Sequence, residues 1–427
     1  MTLTTQTPRI HTLGNGVRVI CDPMPGLQTL ALSVVAGRGA AFEDKARCGW
    51  SHLLEHMVFK GAGGRSAREI VEVVEAEGGQ VNAATGYERT SFQIRALAGG
   101  LPLGMEICAD LILRPTLEAG DLAKEKSVVA QEIAEAADTP DDLVFELAQA
   151  AAFPDQPWGR PILGEVSTLK PADPAAMADW RASLYAPDRL VVCAAGAVDE
   201  DELLRLSEAA FGREPAATGA PLPPPPVFVG AEASRNRRLE QAHVVLLLPA
   251  GGARDPDYFA QRLFAEMLGG GMSSRLFQEA REARGLAYAI DAWSESYSEG
   301  GLFGIYAGCA AGDAAELAQV CAHELLALSQ SVHDAELSRA KAQLKASLFM
   351  GREQPQARAE QAAGQALLFE RLFSPAELAE AIDTVGPADI ARVGSRLLAG
   401  GRTAGAVLGS KAALGAVAAF GEALKAG

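Results

Sequence analysis

Two histidines and a glutamate stand within one short stretch of the chain, His52-Leu53-Leu54-Glu55-His56. Residues three and four apart lie on one face of a helix. His52 and His56 are therefore stacked one turn apart and can reach one ion, with Glu55 projecting beside them. Two imidazoles at this spacing suit Zn2+, which takes nitrogen ligands in a tetrahedral shell, and a catalytic zinc needs a third protein ligand and an open position. Glu132 is a candidate from its own setting, Lys124-Glu125-Lys126-Ser127-Val128-Val129-Ala130-Gln131-Glu132-Ile133. Glu125 and Glu132 are two helical turns apart, on the side that also carries Val128 and Val129. A carboxylate facing a core is costly unless it is paired or bound to metal. Zinc lowers the pKa of bound water to about 7, and a nearby carboxylate can take the proton. That task falls to Glu55, which would pass the proton to a leaving nitrogen.

Paired histidines also occur on helices that bind nothing. The apolar flanks Leu53, Leu54, Met57, Val58 and Phe59 argue against that here. They mark a helix buried on most sides, where two imidazoles beside a carboxylate are poor surface decoration. The other histidines, His11, His243, His323 and His333, are scattered without ligand spacing. Gly269-Gly270-Gly271 lacks the Lys-Ser/Thr of a phosphate-binding P-loop, which excludes nucleotide binding there.

The elements that must position these residues follow from periodicity. Strands are expected over 16–21, 30–36, 80–97, 190–195, 244–248 and 301–307, and helices over 67–77, 119–137, 143–153, 256–268, 313–330 and 334–351. Near the midpoint runs Pro221-Leu222-Pro223-Pro224-Pro225-Pro226, which favours extended polyproline II and marks a linker. It divides the chain into 1–212, a linker 213–226, and 227–427. The two parts read as diverged copies. Each has an apolar strand leading into a helix, and Asp121–Lys126 and Pro140 of the first are paralleled by Glu336–Lys341 and Pro355 of the second. At the places equivalent to His52, Glu55, His56 and Glu132 stand Arg262, Ala265, Glu266 and Ser347, so one zinc per chain is expected, in the first domain. The expected fold is two homologous α+β domains, each a mixed sheet packed with helices, enclosing a substrate chamber.

His52–His56 followed by Met57-Val58-Phe59-Lys60-Gly61 resembles the inverzincins, the pitrilysin and insulin-degrading peptidases, and is closest to the branch of the mitochondrial processing peptidase and its bacterial relatives. The resemblance spans nearly the whole chain. It implies a zinc-dependent endopeptidase with ligands His52, His56 and Glu132, and Glu55 as general base. It also implies that Glu125 supports the site from behind the ligands. Gly78–Thr85 is similar to the family's edge strand, which implies that Asn82, Ala83, Ala84 and Thr85 pair with a peptide substrate. Arg281 and Tyr288 match an Arg/Tyr pair that in the family holds the substrate carbonyl. A hydroxyl and a guanidinium are apt donors for a developing oxyanion. Some relatives divide the metal site and this pair between subunits; a chain carrying both implies a homodimer.

Composition bounds the rest. Basic residues number 38 and acidic 54, a net charge of -16, which makes nucleic acid a poor partner. No run approaches the ~18 apolar residues of a membrane span. The first eight residues have neither a basic nor an apolar signal region, so no secretory signal is expected. Six scattered cysteines without a CxxC pair read as reduced core residues and place the protein in a bacterial cytoplasm. The expected partner is a peptide or unfolded polypeptide. The competing reading is a non-catalytic scaffold or assembly subunit on the same fold, which the complete ligand set disfavours.

Overall fold

The computed structural model describes residues 7–426; residues 1–6, on which the expectation about a secretory signal largely rests, lie outside the described residues. The chain packs as two units. One comprises Met1–Ile133, Pro161–Pro223 and Leu348–Pro375, the other Ala134–Arg160, Pro224–Ser347 and Ala376–Gly427.

The first unit is built on a six-stranded sheet of β1 (Ile10–Thr12), β2 (Arg18–Pro23), β3 (Thr29–Ala36), β4 (Gln80–Thr85), β5 (Thr90–Leu97) and β6 (Leu190–Gly196), in the order β1-β2-β6-β3-β5-β4. Only β2 and β6 run parallel. The stretch 80–97, expected to be strand throughout, is a hairpin: Gly86 N–H bonds to Arg89 C=O at 2.8 Å and turns the chain between β4 and β5. β3 and β6 are buried almost throughout because both faces of the sheet are covered. Val34, Val192 and Ala194 join the large core that includes helix Leu101–Leu113. Their neighbours Val35, Val191 and Cys193 face Ala359, Ala363 and Ala366 of helix Pro355–Phe369. Small alanines let that helix lie close against the sheet. Arg358 secures it by gripping Asp22 through two bonds of 2.6 and 2.5 Å.

The second unit repeats the plan. Its strands are β7 (Glu232–Asn236), β8 (Ala242–Ala250), β9 (Ala287–Ser296), β10 (Gly301–Cys309) and β11 (Ala404–Gly409), in the order β9-β10-β8-β11-β7. That is the order β4-β5-β3-β6-β2 again, and here too the last pair, β11 and β7, is parallel. Helix Pro140–Ala152 lies on β7, β8 and β11, the counterparts of the strands that Pro355–Phe369 covers in the first unit. Its Phe145 packs on Trp293 at 5.3 Å and stacks on Tyr306 at 5.4 Å between ring centroids. Pro140 and Pro355 each open these equivalent helices, as the sequence repeat leads one to expect. The packing units thus differ from a simple cut at the proline run by one helix in each direction: the first copy's helix completes the second unit, and the second copy's completes the first.

All six cysteines are buried and none forms a disulfide. Among the described residues, no helix is long and apolar enough to cross a membrane.

Candidate metal centre

The histidine motif forms helix Trp50–Val58, packed against β4 and helix Pro174–Leu184. Trp50, Leu53, Leu54, Met57 and Val58 are buried, so the helix is pinned on its apolar sides. Shortening a side chain such as Leu53 would cost about 2–5 kcal/mol. Gly49 precedes the helix at φ 89°, a left-handed conformation that favours glycine. The first turn is capped by a side chain from the turn just ahead of it. The buried Glu43 carboxylate accepts Gly49 N–H at 2.8 Å and Ser51 N–H at 2.6 Å. A carboxylate at a helix N-terminus satisfies orphan donors and opposes the positive end of the helix dipole.

His52, Glu55 and His56 occupy the remaining side, each half-buried. The two imidazole centroids are 4.7 Å apart at an interplanar angle of 65°. Glu132, on helix Ala119–Asp138, brings its Oε2 to 3.5 Å from His56 Nε2 and 3.9 Å from His52 Nε2. One ligand atom from each of His52, His56 and Glu132 lies within 4.8 Å of the others. The helix carrying Glu132 is tied down by Lys126, whose Nζ donates to the carbonyls of Lys170 at 2.8 Å and Ala172 at 2.5 Å.

Glu125 is one of the few buried carboxylates of the chain. Its Oε2 lies 3.0 Å from His56 Nδ1 and its Oε1 2.8 Å from Lys60 Nζ. It therefore sits on the imidazole nitrogen away from Glu132, where a carboxylate orients a ligating ring and raises its basicity.

The donor set fits a metal ion on its own chemistry. Glu132 Oε2, the oxygen nearest both His52 Nε2 and His56 Nε2, is buried without a hydrogen-bond partner, and such an orphan requires an explanation. Burial, reinforced by the neighbouring His56, lowers the His52 pKa to about 4 and keeps the ring neutral, the form that binds metals. Two neutral or carboxylate-oriented imidazoles and one carboxylate oxygen are ligands that zinc accepts.

Glu55 is outside this set. Burial raises its pKa, opposed by hydrogen bonds from the Thr85 hydroxyl and N–H and by the charge of His56, while Glu132 adds to the rise. Its Oε2 has no partner. Thr85, expected in the substrate-pairing strand, thus turns to the motif helix. β4 is the edge strand of its sheet, with Asn82 and Ala84 exposed and Ala83 buried. Arg281 and Tyr288 belong to the second unit. Arg281 stacks on Phe277 at 4.7 Å. Tyr288 is 60% exposed and stands at an irregularity of β9, where Ala287 and Ala289 pair with the adjacent residues Cys309 and Gly308. A bulge of this kind re-aims a side chain.

Two residues of this region carry no motif that marks them in the sequence: Glu43, which caps backbone donors six and eight residues further on, and Tyr185, which packs its ring edge-on to Phe92.

Residues 18–166 match the family model described as insulinase (peptidase family M16), and residues 172–344 match that of the peptidase M16 inactive domain. An uncharacterized zinc protease of Rickettsia bellii is 32% identical over 401 residues, covering 94% of this chain and 97% of that protein. Another, from Streptomyces coelicolor, is 33% identical over 401 residues, covering 92% and 87%. Among solved structures, a protease from Helicobacter pylori superposes with a TM-score of 0.86 at 20% identity, covering 94% of this chain and 99% of that one. A chain of complex III2 from Candida albicans gives a TM-score of 0.86 at 21% identity, covering 97% and 99%.

Proposed function

The chain belongs to the insulinase family of peptidases, M16, and from that premise we propose that it is a zinc metalloendopeptidase acting on peptides or unfolded segments. The observation that carries this reading is the convergence of His52, His56 and Glu132 beside a half-buried Glu55 that is not part of the donor set. His52, His56 and Glu132 would hold the metal, one per chain. Bound zinc supplies Lewis acidity, lowering the pKa of water to about 7 and polarising a carbonyl.

The chain's own residues do the rest. Glu125 fixes the His56 ring through Nδ1. Glu55 takes up the proton of the attacking water and returns it to the amide nitrogen as the peptide bond breaks. Its raised pKa makes it a better proton acceptor than an ordinary carboxylate, and in its protonated form it can pass the proton on to the leaving nitrogen. Thr85 holds the Glu55 carboxyl in place. The exposed edge of β4 supplies unpaired backbone groups to which an extended peptide can add. Arg281 and Tyr288 are assigned to the substrate carbonyl as donors, and the active form is a homodimer.

The other reading, a non-catalytic assembly subunit, is favoured by the inactive-domain description of the model matching 172–344. That match lies mostly in the repeat copy without the ligands, whereas the donor set in the first copy is complete. The deciding experiment measures zinc content and cleavage of a quenched peptide library by protein purified without added metal. Zinc and turnover, both lost in His52→Ala/His56→Ala, are expected. Full zinc in that double variant would remove the metal assignment, and a zinc-loaded wild type that cuts nothing would favour the assembly subunit.

A further inference from the structure

His52, His56 and Lys60 recur every four residues, the spacing that keeps side chains on one helix face. The motif helix itself ends at Val58, but Phe59 keeps helical backbone angles and Lys60 N–H still donates to Met57 C=O at 3.1 Å. The next residue is tied as well: Gly61 C=O accepts Thr116 N–H at 2.8 Å, and a β-carbon on Gly61 would come within 2.9 Å of the Thr116 hydroxyl. From this pinned backbone the Lys60 ammonium reaches Glu125 Oε1 at 2.8 Å, while Glu125 Oε2 lies 3.0 Å from His56 Nδ1. Glu125 is 5% exposed, and among the described residues His56 and Lys60 are the two side chains that pair with it. A cation beyond the last turn also meets the negative end of the helix dipole.

Resting on the reading of His52, His56 and Glu132 as metal ligands, we propose that Lys60 is a positioning residue of the centre, acting on His56 through Glu125. The terminal torsion of a glutamate is broad, so a carboxyl held by one imidazole alone can turn its plane. Lys60 holds Oε1 and so keeps Oε2 aimed at Nδ1. An acceptor fixed at Nδ1 keeps the ring proton on that nitrogen and leaves the lone pair on Nε2, which faces Glu132 at 3.5 Å. Lys60 is itself outside the donor set. Its plain charge works the other way, because a cation near a cation site weakens binding there. Positioning and bulk charge therefore predict effects of opposite sign when the ammonium is removed.

The experiment measures zinc affinity by competition with a chromophoric chelator, and the thermal midpoint of each zinc-free protein. It compares wild type, Lys60→Met, Lys60→Arg, Glu125→Gln and the Lys60→Met/Glu125→Gln double variant. Lys60→Met should weaken zinc binding about tenfold, the lower end for groups that orient a ligand. Lys60→Arg keeps a cationic donor for Oε1 and should recover most of that loss. Once Glu125 is Gln, Lys60→Met should change affinity less than about twofold, because the group through which it acts is gone. Unchanged or tighter zinc binding in Lys60→Met would overturn the proposal, as would an equal loss in both backgrounds. A loss that tracks a lowered zinc-free midpoint and is not recovered by Lys60→Arg would make Lys60 a folding residue and would overturn it too. A wild type that takes up no zinc would remove the ligand reading itself, which is a different result from a zinc-binding wild type whose affinity ignores Lys60. No peptide is needed, so the outcome does not depend on whether the chain is a peptidase or an assembly subunit.

Discussion

His56 Nδ1 and Glu125 Oε2 lie 3.0 Å apart, and the other oxygen of Glu125 meets Lys60 Nζ at 2.8 Å. The carboxylate is thus shared between a ring it orients and an ammonium that helps offset the desolvation of its charge. It does not compete for the nitrogen that faces Glu132. Removing it should loosen the metal without deleting a ligand. Glu125→Gln is expected to weaken zinc affinity by about 10–100-fold, measured by competition with a chromophoric chelator. Affinity equal to wild type would mean that His56 is held by packing alone.

Glu55→Gln separates proton transfer from metal binding. The amide has nearly the shape of the carboxyl and can still accept from Thr85, but it cannot carry the proton. Zinc content should stay at the wild-type level while kcat falls by about 10²–10⁴, the range for a positioned acid–base group. Loss of zinc in this variant would instead place Glu55 among the groups that hold the ion.

Part of the candidate donor set was legible in the sequence because the spacing within each helix is local, whereas the meeting of the two helices is not. His52, Glu55 and His56 lie within one turn of one helix, and Glu125 and Glu132 sit two turns apart on another. The repeat was legible for a similar reason, since proline at the start of two equivalent helices leaves a mark that divergence does not erase. What periodicity could not give was the partner of each element. Pro355–Phe369 carries an alanine-rich stripe that identifies a close-packing face, but not which sheet it covers. The turn between β4 and β5 was hidden because Gly86-Tyr87-Glu88-Arg89 lacks a strong turn dipeptide. Glu43 as a helix cap and Thr85 as a partner of Glu55 depend on contacts between elements that sequence spacing does not encode.

Acid should destabilise the second unit through a defined cluster. Arg396 grips Asp255 and Asp257 at 2.6 Å each, and Arg392 reaches Asp257 at 2.5 Å. The Arg396 bond holds Asp255 below the usual carboxylate range, and the Arg392 bond does the same for Asp257. Both folded-state values lie below the unfolded value of about 3.9, so the stabilisation is present above that pH and disappears as pH falls through the folded values. The thermal midpoint of wild type should therefore exceed that of Asp257→Asn at neutral pH, and the gap should close below about pH 4. A gap that stays constant from neutral to acid would show that the carboxylate charge contributes nothing.

The last expectation concerns Tyr288. The residue is 60% exposed, beside a register break in the edge strand β9, so its hydroxyl is free to meet a ligand and its ring contributes little to the core. A phenol in such a place suits transient donation better than structural support. If it donates to the oxygen that gains charge as the peptide carbonyl is attacked, the bond strengthens on the way to the transition state, and its removal should appear in kcat. Tyr288→Phe is then expected to lower kcat by about a hundredfold, the lower end for loss of one such donor. KM, zinc content and thermal midpoint should barely move. Arg281 is stacked on Phe277 and carries a charge that can bind the ground-state carbonyl as well, so Arg281→Ala should affect KM along with kcat. The measurement is steady-state kinetics of both variants on one peptide. A Tyr288→Phe enzyme with wild-type kcat and a raised KM would make the tyrosine a substrate-binding group rather than a transition-state donor. Wild-type values for both constants in both variants would remove the pair from the reaction.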